Sequence, residues 1–397
     1  MQCLIAAGGT AGHVAPSLAV AEALQQRGAH VTFAGSPDRI EAQLVPEAGY
    51  ELDTFHISGL PRRPSLALAE ALQQRGAHVT FAGSPDRIEA QLVPEAGYEL
   101  DTFHISGLPR RPSLALARAL LLAGRAPRAC ARILRARQPD VVLGGGGYVG
   151  GPMVYAASRQ HIPAALMEAD AYLGLANRLA APFAQRVFLS FPIGGRDGPK
   201  YRVTGRPIPA RSRGLPQTEA RRIFGLPEDG PVLLVFGGSL GAALLNDLAL
   251  EAFGAAGPSV LHLSGTRDYD RLAPRVTRPD YRLYAFTEEF GAALGASDLV
   301  LARAGGSVWE LAAAGKPAVL IPGSFATGDH QAKNARYFER AGAAVVVPES
   351  EAGRAPDVVR SLLDDPRRLG ELAQAMLRIA RPNAAEEIAE ELLALAS

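Results

Sequence analysis

The chain has 397 residues, 48% of them apolar, with 41 basic residues against 40 acidic ones and a net charge of +1. That length exceeds what one hydrophobic core usually organises, so two domains with sizeable cores are expected. A balanced charge with only three lysines (Lys200, Lys316, Lys333) excludes a polyanion-binding composition, and no nucleic acid partner is expected.

The first apolar run, "CLIAAG", reads as a strand; it breaks into the glycine loop Gly8-Gly9-Thr10-Ala11-Gly12, reaches His13 and continues as an apolar helix. Backbone N–H groups in such a loop, at the positive end of a helix, favour phosphate. A dinucleotide-binding fold is disfavoured, because the second strand, "HVTFAGS", ends at Gly35 where an acidic residue would hold a ribose. No basic flank or cleavage site accompanies the first strand. No run approaches the roughly 20 apolar residues that span a bilayer, so any membrane role is expected to be peripheral. Cys3 and Cys130 are far apart and lack zinc-type spacing, which suggests reduced thiols in a cytosolic protein.

Residues 21–68 recur without a change as residues 69–116, a tandem duplication of 48 residues. Solenoid repeats diverge and occur several times, so a single identical doubling is not a repeat architecture. "PSLAVAEAL" at 16–24 and "PSLALARAL" at 112–120 flank the hybrid "PSLALAEAL" at 64–72, the trace that unequal crossover leaves. The second copy has no glycine loop ahead of its helix, so it duplicates no site. Connectivity to the glycine loop suggests that residues 14–28 fill the first helix position and that the surplus segment is an excursion at a sheet edge.

With one copy set aside, short apolar strands ("YELDTFHI", "VVLGGGG", "PAALME", "RVFLSF", "YRVTG") alternate with longer Ala/Leu/Arg stretches, the pattern of a parallel sheet wrapped by helices. "LGGGGYVGGP" at 143–152 is a second glycine-rich turn, either a tight turn or a place where a ligand or backbone comes close. The Pro/Gly/Arg-rich segment "GRPIPARSRGLPQ" at 205–217 reads as an interdomain connection. The rhythm then restarts with "PVLLVFGGSLGAALLNDLAL", in which Ser239 could cap the following helix or donate to a phosphate. "RAGGSVWELAAAGKP" at 303–317 places Glu310 in a first helical turn, as a dipole partner or as an acceptor for a ribose diol. "GDHQAKNA" at 328–335 clusters His330, Gln331 and Asn334, which could read sugar hydroxyls or simply begin a solvated helix. "DYD" at 268–270 has the carboxylate spacing of a metal site but stands apart from these loops, and no metal is expected.

Taken together, "GGTAGHVAP", "GGGGYVGGP", "GGSLGA", "RAGGSVWELAAAGKP" and "DHQAKNA" resemble, in order and in spacing once 48 residues are removed, the successive signatures of the MurG family of peptidoglycan glycosyltransferases. The resemblance implies the GT-B form of the α/β class: two Rossmann-like doubly wound domains facing a cleft, here with the tandem duplication in the N-terminal one. Residues 1–209 would be the acceptor and membrane-facing domain and 210–397 the donor domain. It implies inverting transfer of N-acetylglucosamine from UDP-N-acetylglucosamine to the muramoyl 4-hydroxyl of undecaprenyl-diphosphate-muramoylpentapeptide, without cofactor or metal. Residue by residue, His13 would be the general base, with Thr10, Ala11, Gly12 and Tyr148 near the substrates. Ser239, Thr287, Gly306, Ser307, Val308, Glu310, Gln331 and Asn334 would hold the donor.

The chain departs from the family pattern in places. Where His-Glu-Gln-Asn is usual it has "MEAD", which keeps Glu168 and puts Asp170 in place of an amide. Where an Asn-Pro-Val-Arg-like pattern is usual it has "RPIP", with Pro209 at the phosphate-contacting arginine and Arg206 or Arg211 as substitutes. Leu240 stands for a glutamine.

From Arg110 to Arg137 there are eight arginines and no acid, interleaved with leucines. Such a helix can rest on anionic lipid headgroups or can be an ordinary helix with solvated arginines. The lipid-linked acceptor implied by the resemblance favours a peripheral site on the cytoplasmic face of the cell membrane. The competing functions are a GT-B relative with another acceptor, a UDP-sugar epimerase, and a catalytically impaired UDP-sugar-binding protein.

Overall fold

The computed structural model describes residues 2–6, 30–35, 51–54, 64–85, 89–105, 114–145, 147–208, 212, 214–238, 241–323 and 329–396. It divides into two compact units, residues 1–60 and 61–397. In the first, strands β1 (Gln2–Ala6), β2 (His30–Gly35) and β3 (Glu51–Thr54) form a parallel sheet in that order.

The second unit begins α1 (Pro64–Gln73), β4 (Thr80–Gly83), α2 (Glu89–Glu95), β5 (Glu99–Thr102), α3 (Leu114–Arg137), β6 (Val142–Gly144) and α4 (Gly147–Arg159). It continues β7 (Ala164–Glu168), α5 (Leu175–Ala180), β8 (Arg186–Leu189) and β9 (Tyr201–Val203). Strands β4 and β5 pair in parallel, and β6-β7-β8-β9 form a second parallel sheet. Every residue of β7, "AALME", is buried, because helices cover both faces of a parallel sheet. Leu166 faces a core with Val154 of α4 and Cys130 of α3, while Ala165 and Met167 face a core with Leu68 of α1.

The remainder is α6 (Gln217–Ile223), β10 (Val232–Phe236), α7 (Ala243–Phe253), β11 (Ser259–Leu263), α8 (Tyr269–Leu272), β12 (Tyr281–Tyr284), α9 (Phe290–Ala296) and β13 (Leu299–Ala302). Then come α10 (Val308–Ala313), β14 (Ala318–Leu320), α11 (His330–Arg340), β15 (Ala344–Val346), α12 (Ala355–Leu363), α13 (Pro366–Ile379) and α14 (Ala384–Ala396). The six strands are parallel in the order β12-β11-β10-β13-β14-β15. Alternate residues of β10 serve opposite cores: Val232, Leu234 and Phe236 pack with Phe290, Trp309 and Phe338, while Leu233 and Val235 pack with Leu245, Val359 and Leu372. The chain leaves β10 for β11 on one side and later returns to β13 on the other, so the order reverses between β10 and β13. Ligands of open parallel sheets bind beyond the strand ends at such a reversal.

The structure corrects the expectation for the duplicated segment. The two copies form the same strand pair in the same register: Thr32 to Glu51 in one, Thr80 to Glu99 in the other. The second copy, however, is core rather than an edge excursion: Leu92, Val93, Phe103 and Ile105 are buried. The helix packed beneath β7 and β8 is α1, residues 64–73, with Leu68 and Ala71 against Ile388 and Leu392 of α14. Residues 14–28, expected to fill the first helix position after the glycine loop, lie outside the described residues. The physical reason is that "PSLALAEAL" and "PSLAVAEAL" differ by one methylene, Leu68 for Val20, so one helix socket suits either.

Because the copies are identical, deleting residues 21–68 or 69–116 yields the same polypeptide. We expect that shortened chain to unfold in one transition with a higher thermal midpoint, since a single segment then serves both β1 and the α1 socket. A lower midpoint in calorimetry would show that both copies are needed.

Candidate functional site

The loops that matter follow β7, β9, β10, β12, β13 and β14. After β7 the chain makes a tight turn around Glu168. One carboxylate oxygen accepts from the Gly174 amide at 2.9 Å and Asn177 Nδ2 at 2.9 Å, and the other accepts from the Asp170 amide at 3.2 Å. Burial pushes the Glu168 pKa up, and these donors oppose the shift. The effect is to fix residues 168–177 as one rigid loop, with Asp170 and Ala171 at its tip.

Asn334, on α11 and fully buried, joins that loop to the one after β13. Its Oδ1 accepts from the Ala171 amide at 2.9 Å, and its Nδ2 donates to Asp170 Oδ1 at 3.2 Å and to the Ala304 carbonyl at 3.3 Å. Gly305, Gly306 and Ser307 follow Ala304 and lead into α10, where Val308 and Glu310 are buried, Glu310 with 5% of its surface exposed. Beyond β9, Gly205 adopts a φ of +81°, and the next side chain, Arg206, lies against Gly306 so closely that a Cβ there would fall within the guanidinium. Arg206 is half-buried; desolvation lowers its pKa, and the charges of Glu310 and Asp170 oppose this. Gln331, also on α11, accepts from the Gly323 amide at 2.8 Å and so holds the beginning of the loop after β14.

The structure therefore brings Asp170, Arg206, Gly306, Ser307, Val308, Glu310 and Asn334 into one contiguous patch, with Glu168 behind Asp170 and Gln331 on the same helix as Asn334. Thr287 is further along the sheet: its hydroxyl accepts from the Glu289 amide at 3.1 Å, capping the turn into α9. Thr10, Ala11, Gly12, His13, Ser239, Pro209 and Arg211 lie outside the described residues. Tyr148 belongs to α4. The N-cap of α7 is Ala242, which has no side chain to cap the helix.

Two supporting residues were not singled out from the sequence. Phe191, just past β8, inserts among Trp309 at 5.1 Å and Tyr337 at 5.3 Å between ring centroids. Asn246 lies on the apolar face of α7, where a polar residue between Leu245 and Ala249 was the available signal. Its Nδ2 donates to the Ser264 carbonyl at 2.8 Å and to Asp268 at 2.9 Å. Asp268, part of the "DYD" sequence, is thus engaged in holding the loop after β11. No group of three or more His, Cys, Asp or Glu side chains suited to a metal occurs among the described residues.

Since both Nδ2 partners are acceptors, Asn246 Oδ1 must accept from His262 Nε2, 3.0 Å away, which leaves Nδ1 to accept from the Tyr281 hydroxyl at 2.8 Å. His262 is therefore the neutral Nε2–H tautomer, and burial lowers its pKa to about 3.

The comparisons with known proteins cover nearly the whole chain. "Glycosyltransferase family 28 C-terminal domain" matches residues 232–392, and "Glycosyltransferase family 28 N-terminal domain" matches residues 3–66 and 63–189. A relative from Salinibacter ruber, named UDP-N-acetylglucosamine--N-acetylmuramyl-(pentapeptide) pyrophosphoryl-undecaprenol N-acetylglucosamine transferase, is 41% identical over 99% of this chain and 96% of its own. One of the same name from Acidithiobacillus ferrooxidans is 39% identical over 97% and 95%. Among solved structures, Acinetobacter baumannii MurG aligns with a TM-score of 0.59 at 24% identity over 99% of both chains. A Neisseria meningitidis UDP-GlcNAc 2-epimerase aligns at 0.58 and 16% identity over 99% of this chain and 100% of its own. These last two share the two-domain α/β architecture with parallel sheets.

One consequence is measurable without any ligand. Between pH 6.5 and about 3 the unfolded chain takes up a proton at His262 that the folded chain refuses, so stability falls as pH drops. His262→Gln should flatten the acid side of the stability curve, by up to about 1.4 kcal/mol per pH unit. Equal slopes for parent and variant in denaturant titrations would contradict this burial.

Proposed function

The chain belongs to the MurG family of N-acetylglucosaminyltransferases, and we propose on that footing that it transfers N-acetylglucosamine from UDP-N-acetylglucosamine to the muramoyl 4-hydroxyl of undecaprenyl-diphosphate-muramoylpentapeptide. The near full-length likeness to the curated transferases carries this reading, whereas the epimerase likeness is one of fold alone. Residues 210–397 are assigned to the donor and residues 1–209 to the acceptor.

The chemistry follows from the residue types. His13, near neutral pKa, takes the proton of the acceptor hydroxyl as its oxygen attacks the anomeric carbon of the sugar. The bond from that carbon to the diphosphate breaks on the opposite face, the electron pair leaves with UDP, and the configuration inverts. Thr10, Ala11, Gly12 and Tyr148 line the acceptor side. The amide groups of the glycine loop after β10, Ser239 and the uncapped start of α7 stabilise the charge that develops on the diphosphate. Glu310 accepts from the ribose diol, the backbone at Thr287 contacts the uracil, and Gln331 and Asn334 lie toward the sugar with Gly306, Ser307 and Val308 forming the loop beneath. Asp170, backed by Glu168, adjoins the same loop, and Arg206 brings positive charge to the donor pocket.

His13→Ala should keep UDP binding and lose about 10²-fold to 10⁴-fold in turnover, the range for removal of a positioned base. Turnover at the parent rate would remove His13 from this role. Glu310→Ala should raise the donor KM and abolish the preference for UDP over 2′-deoxy-UDP. An undiminished preference would make Glu310 a structural residue.

No helix among the described residues is long and apolar enough to cross a membrane. For the lipid-linked acceptor we assign peripheral attachment to the cytoplasmic membrane face through α3 and its neighbours. Ala126, Cys130 and Leu134 bury one face of α3, leaving Arg125, Arg128 and Arg132 exposed. Helix α3 packs on α4 and α4 on α5, which exposes Leu175 and Leu179. Exposed basic side chains on α3 and exposed apolar ones on α5 suit anionic headgroups over acyl chains. Replacing the three arginines by glutamate should abolish sedimentation with phosphatidylglycerol vesicles while UDP binding persists; unchanged sedimentation would place the contact elsewhere.

A further inference from the structure

The second unit holds two sheets, β4-β5 and β6-β7-β8-β9, that share the same covering helices. On one face lies α1. Its Leu66 and Ala69 belong to the apolar cluster around Phe81 of β4 and Leu100 of β5, while its Leu68, Ala71 and Leu72 belong to the one around Leu143 of β6 and Met167 of β7. On the other face, Ala82 of β4 and Val142 of β6 pack into one core with Cys130 and Leu134 of α3. The end of α3 is tied to β5 by Arg137, which donates to the two Asp101 oxygens at 2.7 and 3.1 Å. Each helix thus spans both sheets.

Among the described residues, however, β4 is hydrogen-bonded to β5 alone and β6 to β7 alone. Ser65, at the start of α1, lies beside Gly145 just past β6, so α1 runs back along β6 and β4 returns parallel to it. A helix about 10 Å across, with β4 on one flank and β6 on the other, covers about two strand spacings of about 4.8 Å, which leaves a slot for one strand. Main-chain groups point into that slot. Val142 donates its amide to the Pro163 carbonyl at 2.9 Å on the β7 side, so the next residue, Leu143, presents its N–H and C=O away from β7. Gly83 accepts from the Phe103 amide at 2.9 Å on the β5 side, so Ala82 presents its groups away from β5. The sequence β5-β4-slot-β6-β7-β8 is the doubly wound order with its first strand left out.

We infer that this slot takes β1 of the same chain, in competition with β2. The segment at β4 repeats the sequence of β2, and β1 pairs β2 with Leu4 opposite Thr32 and Ile5 opposite Phe33. In the slot the same register puts Leu4 opposite Thr80 and Ile5 opposite Phe81, so the ladder to β4 equals the one it replaces. The ladder to β6 is surplus, because beside β2 the strand is at the edge of its sheet with one neighbour. Its composition points the same way. Cys3, Leu4, Ile5 and Ala6 are a continuous apolar run, the pattern of a central strand covered on both faces, and α1 and α3 supply that cover. Residues 7–63 tether β1 to α1, long enough to reach the slot and short enough to keep β1 at a higher effective concentration than a second copy's. The exchange is a product of the duplication, since a single copy offers β1 one such partner, and it does not depend on the proposed reaction.

The test uses Cys3, whose partner in register is Val31 beside β2 and would be Val79 in the slot. Full-length chains carrying Cys130→Ala and either Val31→Cys or Val79→Cys are treated with dibromobimane, which fluoresces once it bridges two neighbouring thiols. The Val79→Cys chain should give a bridged monomer in at least the yield of the Val31→Cys chain. A bridge in the Val31→Cys chain alone, or bridged dimers on a denaturing gel, would overturn the inference. Should the Val79→Cys chain not fold, hydrogen exchange at Leu143 decides, compared between the parent and Ile5→Pro. A proline in β1 cannot complete the ladder, so the Leu143 amide should exchange about tenfold faster in that variant. An unchanged rate would show that β1 does not lie against β6.

Discussion

The reversal of strand order at β10 is the constraint on which the proposed donor site depends. The chain leaves β10 toward β11 and later reaches β13 on the other side, so the loops after these two strands part at their carboxyl ends, the place where open parallel sheets bind ligands. The glycine turns sit there. Gly238 and Gly241 adopt φ values of +100° and +78°, and a Cβ at Gly241 would collide with the Ser264 carbonyl. The loop after β10 can therefore lie close to its neighbour only with glycine in place.

A site built from loops needs those loops held still, and buried polar side chains hold them. Asn334 and Asn246 each satisfy two or three partners from separate segments, and Glu168 satisfies three within its own loop. Removing any of them would leave several buried donors or acceptors unpaired, at about 1–3 kcal/mol each. Their cost of desolvation is thus offset by geometry: each fixes a loop whose backbone faces the site. Phe191 adds an apolar counterpart, anchoring the chain after β8 within the Trp309, Tyr337 and Phe338 aromatic group.

Much of this was legible in the sequence because it is local. Continuous apolar runs such as "VLLVF" marked strands buried on both faces, and the glycine-rich punctuation after them marked the turns. Glu310 and Asn334 stood out by residue type and neighbours. What the sequence hid was pairing across distance: nothing local says that Asp170 and Asn334 share a hydrogen bond, that Arg206 lies on Gly306, or that Glu168 turns inward to hold its own loop. The second copy of the duplicated segment was harder to place for the complementary reason: residues 16–24 and 64–72 carry the same apolar spacing, and nothing local says that Leu68 and Ala71 pack against Ile388 and Leu392.

Sugar transfer to a lipid-linked acceptor is tested by turnover. The protein is incubated with radiolabelled UDP-N-acetylglucosamine and a short-chain analogue of undecaprenyl-diphosphate-muramoylpentapeptide, and the products are separated by chromatography. Label is expected in a disaccharide lipid with stoichiometric release of UDP. Label recovered in an epimerised nucleotide sugar, or UDP-sugar bound without any product, would contradict it.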